Sequence, residues 1–144
     1  MPLWGYDILE GGMYSPIDRL FCQCYSRGRG RSLVYVKRPY AETNDQVDYV
    51  YYRAYNEIHI VEAKRFVSYI DIYDAISKLN RYRGNFKYLA LPDGDYYQGQ
   101  DYVNSMIDGR FGLILVGLIG RGLHAEFFSD SPRYDGDFSR YYVL

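Results

Sequence analysis

The chain has little cysteine, histidine or proline, and no excess charge of either sign. Two cysteines, Cys22 and Cys24, and two histidines, His59 and His124, occur in 144 residues. The cysteines stand two apart in a segment with helical spacing, so they point in different directions and do not suit a mutual disulfide. With only two distant histidines to join them, they do not suit a zinc site either. Free thiols in a reducing cytoplasm are the expectation. Seventeen basic and eighteen acidic residues leave a formal charge of −1, which excludes a generally basic nucleic-acid binder and an acidic disordered tail. The longest apolar run, residues 111–120, has ten residues and three glycines. A membrane-spanning helix needs about 20, so the run reads as a buried strand and its exit, with no membrane association. Residues 1–7 lack the basic and then apolar pattern of a secretory signal. No repeat or low-complexity tract occurs, and the length is that of one domain.

Tyrosine is what the chain has in plenty: 19 residues, against 7 Phe and 1 Trp. A tyrosine buries a ring and keeps its hydroxyl hydrogen-bonded or wet, so it serves both a core and a contact surface.

Periodicity divides the chain into elements. Ser15-Pro16 has the form of a helix N-cap and first residue, and Ile17, Leu20, Phe21 and Cys24 make one apolar stripe, giving a helix over 15–26. Residues 33–36 read as a strand and 39–46 as a polar loop. Residues 47–53 and 58–63 are rich in β-formers and separated by a short turn, the pattern of a hairpin. Ile72, Ala75, Ile76, Leu79 and Tyr82 have helical spacing, with Asp71 as candidate N-cap and Gly84 as stop. A strand over 87–91 ends at Pro92, and a helix follows over 101–107. Residues 111–116 form a strand covered on both faces, and 123–128 add a further one. The order α-β-β-β-α-β-α-β predicts an α/β fold, a mixed sheet with helices on its faces.

One group of residues carries chemistry. In Glu62-Ala63-Lys64 the first and third side chains share a face of their strand. A hairpin turning at 54–57 pairs positions whose numbers sum to about 110–112, which sets Asp48 opposite 62–64. Two carboxylates and an ammonium then converge at one rim of the sheet. Paired carboxylates repel unless a cation lies between them, and Mg²⁺ favours one or two carboxylates plus water and phosphate oxygens. Such an ion held by Asp48 and Glu62 suits phosphodiester hydrolysis. Lys64 would orient the attacking water, deprotonate it, or stabilise the developing charge. Spacing alone leaves these three open.

The segments Val61-Glu62-Ala63-Lys64, Asp74-Ala75-Ile76-Ser77-Lys78-Leu79-Asn80-Arg81-Tyr82-Arg83 and Tyr88-Leu89-Ala90-Leu91-Pro92 resemble the PD-(D/E)xK nuclease superfamily, in its RecB-like and restriction-endonuclease-like branches. The resemblance covers residues 15–117 of a single domain. It implies a restriction-endonuclease-like mixed central sheet flanked by helices. It also implies Mg²⁺-dependent hydrolysis of DNA, with Mn²⁺ as a substitute, metal ligands Asp48 and Glu62, and Lys64 as catalytic lysine. Ser15-Pro16-Ile17-Asp18-Arg19-Leu20-Phe21 is similar to the family's first helix, which makes Asp18 a further catalytic acid. Two positions depart from the pattern: Lys78 stands where many members have Gln, and no Pro precedes Asp48. Small, Tyr-rich members are familiar from archaeal viruses and mobile elements, and for such a protein the compartment is the host cytoplasm.

Charge is unevenly placed. Arg19, Arg27, Arg29, Arg31, Lys37 and Arg38 fall in a stretch without an acid, whereas Asp93, Asp95, Asp101 and Asp108 fall in one without a base. The Arg27-Gly28-Arg29-Gly30-Arg31 loop suits a phosphate backbone, its glycines allowing close approach. It and Lys78 are the candidate DNA contacts. Tyr49, Tyr51, Tyr52 and Tyr55 read first as cross-strand pairs and second as platforms for unpaired bases. Both histidines read as strand residues. A nuclease is thus the leading expectation. The alternatives are a catalytically inactive nucleic-acid-binding or regulatory protein on the same scaffold, and an interaction protein whose tyrosines line a homodimer interface.

Overall fold

The structure is a computed structural model describing residues 1–25, 38–39 and 46–138. It places five strands in one mixed sheet with helices on both faces. The chain opens with two 3-10 turns, Gly5–Asp7 and Glu10–Met13, the second of which runs into helix α1, Tyr14–Tyr25. Because that turn already supplies the preceding carbonyls, Ser15 lies inside the helix instead of capping it. Its hydroxyl accepts from Arg19 at 3.2 Å. The Arg27, Arg29 and Arg31 loop and the strand expected over 33–36 lie outside the described residues.

Arg38–Pro39 (β1) and Gln46–Val47 (β2) pair antiparallel. Tyr49–Ala54 (β3) and Glu57–Ala63 (β4) form the expected hairpin. Its pairs, Tyr49 with Val61 and Tyr51 with His59, sum to 110. Helix α2, Tyr69–Arg81, crosses over to Phe86–Pro92 (β5), parallel to β4. Two short helices, α3 (Asp93–Gln98) and α4 (Gln100–Ile107), lead to Gly112–Ile119 (β6), parallel to β5. Gly122–Ser129 (β7) closes the sheet antiparallel, giving the order β3-β4-β5-β6-β7.

Side-chain alternation splits the core in two. On one face Ile58, Ile60, Leu89, Leu91, Leu113 and Leu115 meet the apolar stripe Ile72, Ala75, Ile76 and Leu79 of α2 and Val103 and Ile107 of α4. On the other, Tyr49, Tyr51, Val61, Ala63, Tyr88 and Ala90 meet Ile17, Leu20 and Phe21 of α1. Tyr49 and Tyr51 are fully buried, so the packing reading of these tyrosines holds, whereas Tyr55 on the hairpin turn is exposed.

Helix α2 is capped by Ser68, which accepts from the Asp71 backbone N–H at 3.1 Å; Asp71 itself stands at the third helical position. The cap lies one turn earlier than the apolar spacing places it, since Tyr69 and Ile70 are helical but exposed. Among the described residues no helix is long and apolar enough to cross a membrane.

Candidate active site

The carboxyl end of β4 is where the sequence sets Glu62, Ala63 and Lys64. Because β4 runs parallel to β5, this is the end of the sheet at which α/β folds place their ligands. Val47 and Val50 share the α2 side of the core, whereas Tyr49 turns to the α1 side. The alternation therefore breaks at Asp48, which occupies a bend between β2 and β3. The bend frees the Asp48 carboxylate to act as a ladder partner, and its Oδ2 accepts from the Ala63 backbone N–H at 3.0 Å.

Glu62 shares the α2 side with Ile58 and Ile60. It is 1% exposed and Asp48 is 3% exposed. Burial, and then the Asp48 charge, push the Glu62 carboxyl up to about 8, against the pull of Lys78 and Lys64. Its Oε1 is buried without a hydrogen-bond partner among the described residues. A buried carboxylate oxygen left in this way costs free energy unless something fills its place.

Two ammonium groups close the site from the α2 side. Lys64 Nζ donates to Asp74 Oδ2 at 2.6 Å. Lys78 Nζ lies 3.5 Å from Glu62 Oε2 and 3.5 Å from Asp74 Oδ2. Burial works against the charge of Lys64 and Lys78, but Asp74 and Glu62 outweigh it and raise both. Asp74 is correspondingly lowered, the Lys64 bond overcoming its burial.

Asp48, Glu62, Lys64 and Lys78 are thus assembled as one group. Asp18, on α1, accepts from the Tyr49 hydroxyl through its Oδ1 at 2.9 Å. Three residues join the site that sequence reasoning did not name. Asp74 bridges the lysines, and its position one helical turn before Lys78 was the available signal. Tyr14 lies against Asp48, and burial and that carboxylate raise its hydroxyl pKa. Glu10, in the second 3-10 turn, adds negative charge to both Tyr14 and Glu62. Nothing in its local sequence marks it.

His59 is a core residue, its ring 4.6 Å from that of Phe86 and its Nδ1 3.2 Å from the Tyr88 hydroxyl. Cys22 and Cys24 are free thiols.

The donor set fits a hard divalent cation of Mg²⁺ type. Two buried carboxylates, Asp48 and Glu62, are close enough to act on each other electrostatically, and Glu62 Oε1 lacks a partner. Among the described residues no group of three or more His, Cys, Asp or Glu converges, so water or substrate oxygens would complete the coordination, as Mg²⁺ prefers. The site combines a pair of acids with a pair of ammonium groups. Comparison of the whole chain with protein-family models, with curated proteins and with solved structures finds no match.

Proposed function

We propose that this chain is a metal-dependent nuclease of the PD-(D/E)xK kind, hydrolysing phosphodiester bonds in DNA. The observation that carries the reading is the pairing of buried Asp48 with buried Glu62, whose Oε1 has no partner. The α/β sheet, with its acid-bearing hairpin followed by a helix and a parallel strand, supports it. Asp48 and Glu62 would hold Mg²⁺. Bound there, the ion supplies charge stabilisation at phosphorus and an activated water.

The chain's own residues account for the rest. Asp74 holds Lys64 as an ammonium at the rim, where it donates to a phosphate oxygen and stabilises charge in the transition state. Lys78 neutralises Glu62 from the opposite side and adds a second positive charge facing the phosphate. Ala63 N–H fixes the Asp48 carboxylate, so one acid is positioned before any ligand arrives.

The Lys78 contact also favours a second reading, an inactive nucleic-acid-binding scaffold in which the ammonium stands permanently in place of the ion. Plasmid incubation with Mg²⁺, Mn²⁺ or chelator separates the two, with Glu62→Ala and Asp48→Asn beside the natural chain. The nuclease reading expects metal-dependent cleavage that falls at least a hundredfold in both variants. Asp48→Asn keeps an oxygen for the Ala63 N–H, so it melts close to the natural protein. A folded chain with neither cleavage nor a thermal shift on adding metal favours the scaffold.

A further inference from the structure

We propose that Lys78 is a displaceable counterion and that Asp74 is the positioning residue that receives it. In the metal-free chain the ammonium stands at Glu62; when a divalent ion binds there, the ammonium withdraws onto Asp74. The proposal rests on the reading of Asp48 and Glu62 as ligands of that ion.

The two lysines beside the site are held differently. Lys64 Nζ donates to Asp74 Oδ2 at 2.6 Å, the length of a full charge-assisted hydrogen bond. Lys78 Nζ lies 3.5 Å from the same Oδ2 and 3.5 Å from Glu62 Oε2. Hydrogen bonding is weak at that length, so the ammonium is shared between two carboxylates and committed to neither. Its side chain is 27% exposed, and a lysine head on its flexible stem reorients at little cost. Lys64 is the fixed cation of the pair and Lys78 the movable one.

The helix gives the movement a track. Asp74 and Lys78 stand one turn apart on α2, the i, i+4 arrangement whose contact belongs to the helix itself. Glu62 belongs to β4. Letting go of Glu62 therefore leaves the Asp74 pairing in place and asks nothing of either backbone. The Asp74 side chain is 45% exposed, so it takes a second ammonium without burying further charge.

Burial explains why a stand-in is needed. Glu62 and Asp48 are both buried, and two buried carboxylates without a cation repel each other and lack water to offset it. Lys78 is the ammonium in contact with Glu62. A divalent ion takes over that role with twice the charge and repels the ammonium it replaces. With Asp74 present, the repelled ammonium has a second carboxylate within reach. Without it, Lys78 stays at Glu62 and competes with the ion.

The test is the rise in melting temperature of the full chain with Mg²⁺ concentration, without nucleic acid, which gives the affinity for the ion. It is run near pH 9, above the value of about 8 to which burial raises Glu62, so that protons do not compete. Asp74→Asn is expected to weaken Mg²⁺ binding about fivefold or more, whereas Asp74→Glu keeps an acceptor and is expected to keep the affinity. Lys78→Gln is expected to strengthen binding, and by about threefold or more beyond its effect in the natural chain when Asp74→Asn is also present. Loss of a nearby negative charge would weaken the ion equally with or without Lys78, so additive effects overturn the proposal and leave the metal site standing. So does an Asp74→Asn chain that binds Mg²⁺ as the natural one does. Binding in Lys78→Gln but not in the natural chain makes the ammonium a permanent occupant, which also overturns displacement. No response to Mg²⁺ in any of the chains removes the metal reading itself, and the proposal with it.

Discussion

At the scale of single residues the site is a balance of charges in a nearly closed space. Glu62 is buried beside a second carboxylate, and Lys78 is the ammonium in contact with it. Removing one partner of such a pair leaves the other charge uncompensated. Lys78 is 27% exposed at its side chain, so water relieves part of the loss. Lys78→Gln is therefore expected to destabilise the metal-free protein by about 1–2 kcal/mol, measured by urea unfolding near pH 9, above the value of about 8 to which the Glu62 carboxyl is raised. If, as proposed, a divalent ion binds Glu62, it competes with this ammonium for one carboxylate, and the variant should show the larger stabilisation by Mg²⁺. An equal metal response in both proteins would mean that Lys78 and the ion do not share Glu62. Lys64 differs in kind: its partner is Asp74, not an acid of the buried pair.

At the scale of elements, the β3–β4 hairpin decides where the acids meet, and His59 ties it to β5. His59 is neutral in the fold because burial, and then Arg53 and Arg133, lower its pKa to about 3 from an ordinary 6.5. A histidine lowered in the native state takes up its proton preferentially in the unfolded chain. Stability is therefore retained above about 6.5 and lost as pH falls from there toward about 3, by up to about 1.4 kcal/mol per pH unit. His59→Phe, which keeps a ring against Phe86, is expected to flatten that part of the pH profile in denaturant titrations. A parallel profile in the variant would show that His59 does not contribute to it.

The same hairpin shows what was legible in the sequence. Its turn sets the register, and the register places Asp48 opposite 62–64. The bend at Asp48 was not legible, because it depends on β2 pairing with β1, two residues each. Helix α3, six residues directly after Pro92, is too short to show an apolar stripe; its first acids satisfy backbone groups of the N-terminal segment. The α2 cap lies a turn before the apolar stripe because Tyr69 and Ile70 are apolar but face outward. That Asp18 accepts from a tyrosine on β3 is likewise a tertiary contact that periodicity does not show.

At the scale of the whole molecule, long-range hydrogen bonds tie the sheet to the segments that run over it. Asn85 is fully buried; its Oδ1 accepts from the Ile58 N–H at 3.0 Å, and its Nδ2 donates to the Tyr134 and Gly136 carbonyls, each at 2.9 Å. One side chain thus joins β4, the approach to β5 and the segment after β7. Asn85→Ala leaves the Ile58 N–H and two carbonyls unpaired and is expected to cost about 2–3 kcal/mol. It should also open residues 131–138 to limited proteolysis while the rest of the chain stays resistant. Uniform resistance would mean that the segment is held by other contacts.

The N-terminal clasp has a consequence in time. Leu3 N–H donates to Asp93 at 2.6 Å and Gly5 N–H to Asp95, partners ninety residues later in the chain. A growing polypeptide that has not yet reached α3 already contains Asp48, Glu62, Lys64 and Lys78, but of the hydrogen bonds described here only the one from Arg65 to the Gly5 carbonyl holds the strap that carries Glu10. On the ribosome the acids and lysines can gather with the hairpin and α2, while the wall opposite them closes later, once Asp93 and Asp95 have been made. Translation order thereby separates assembly of the charged centre from completion of its surround.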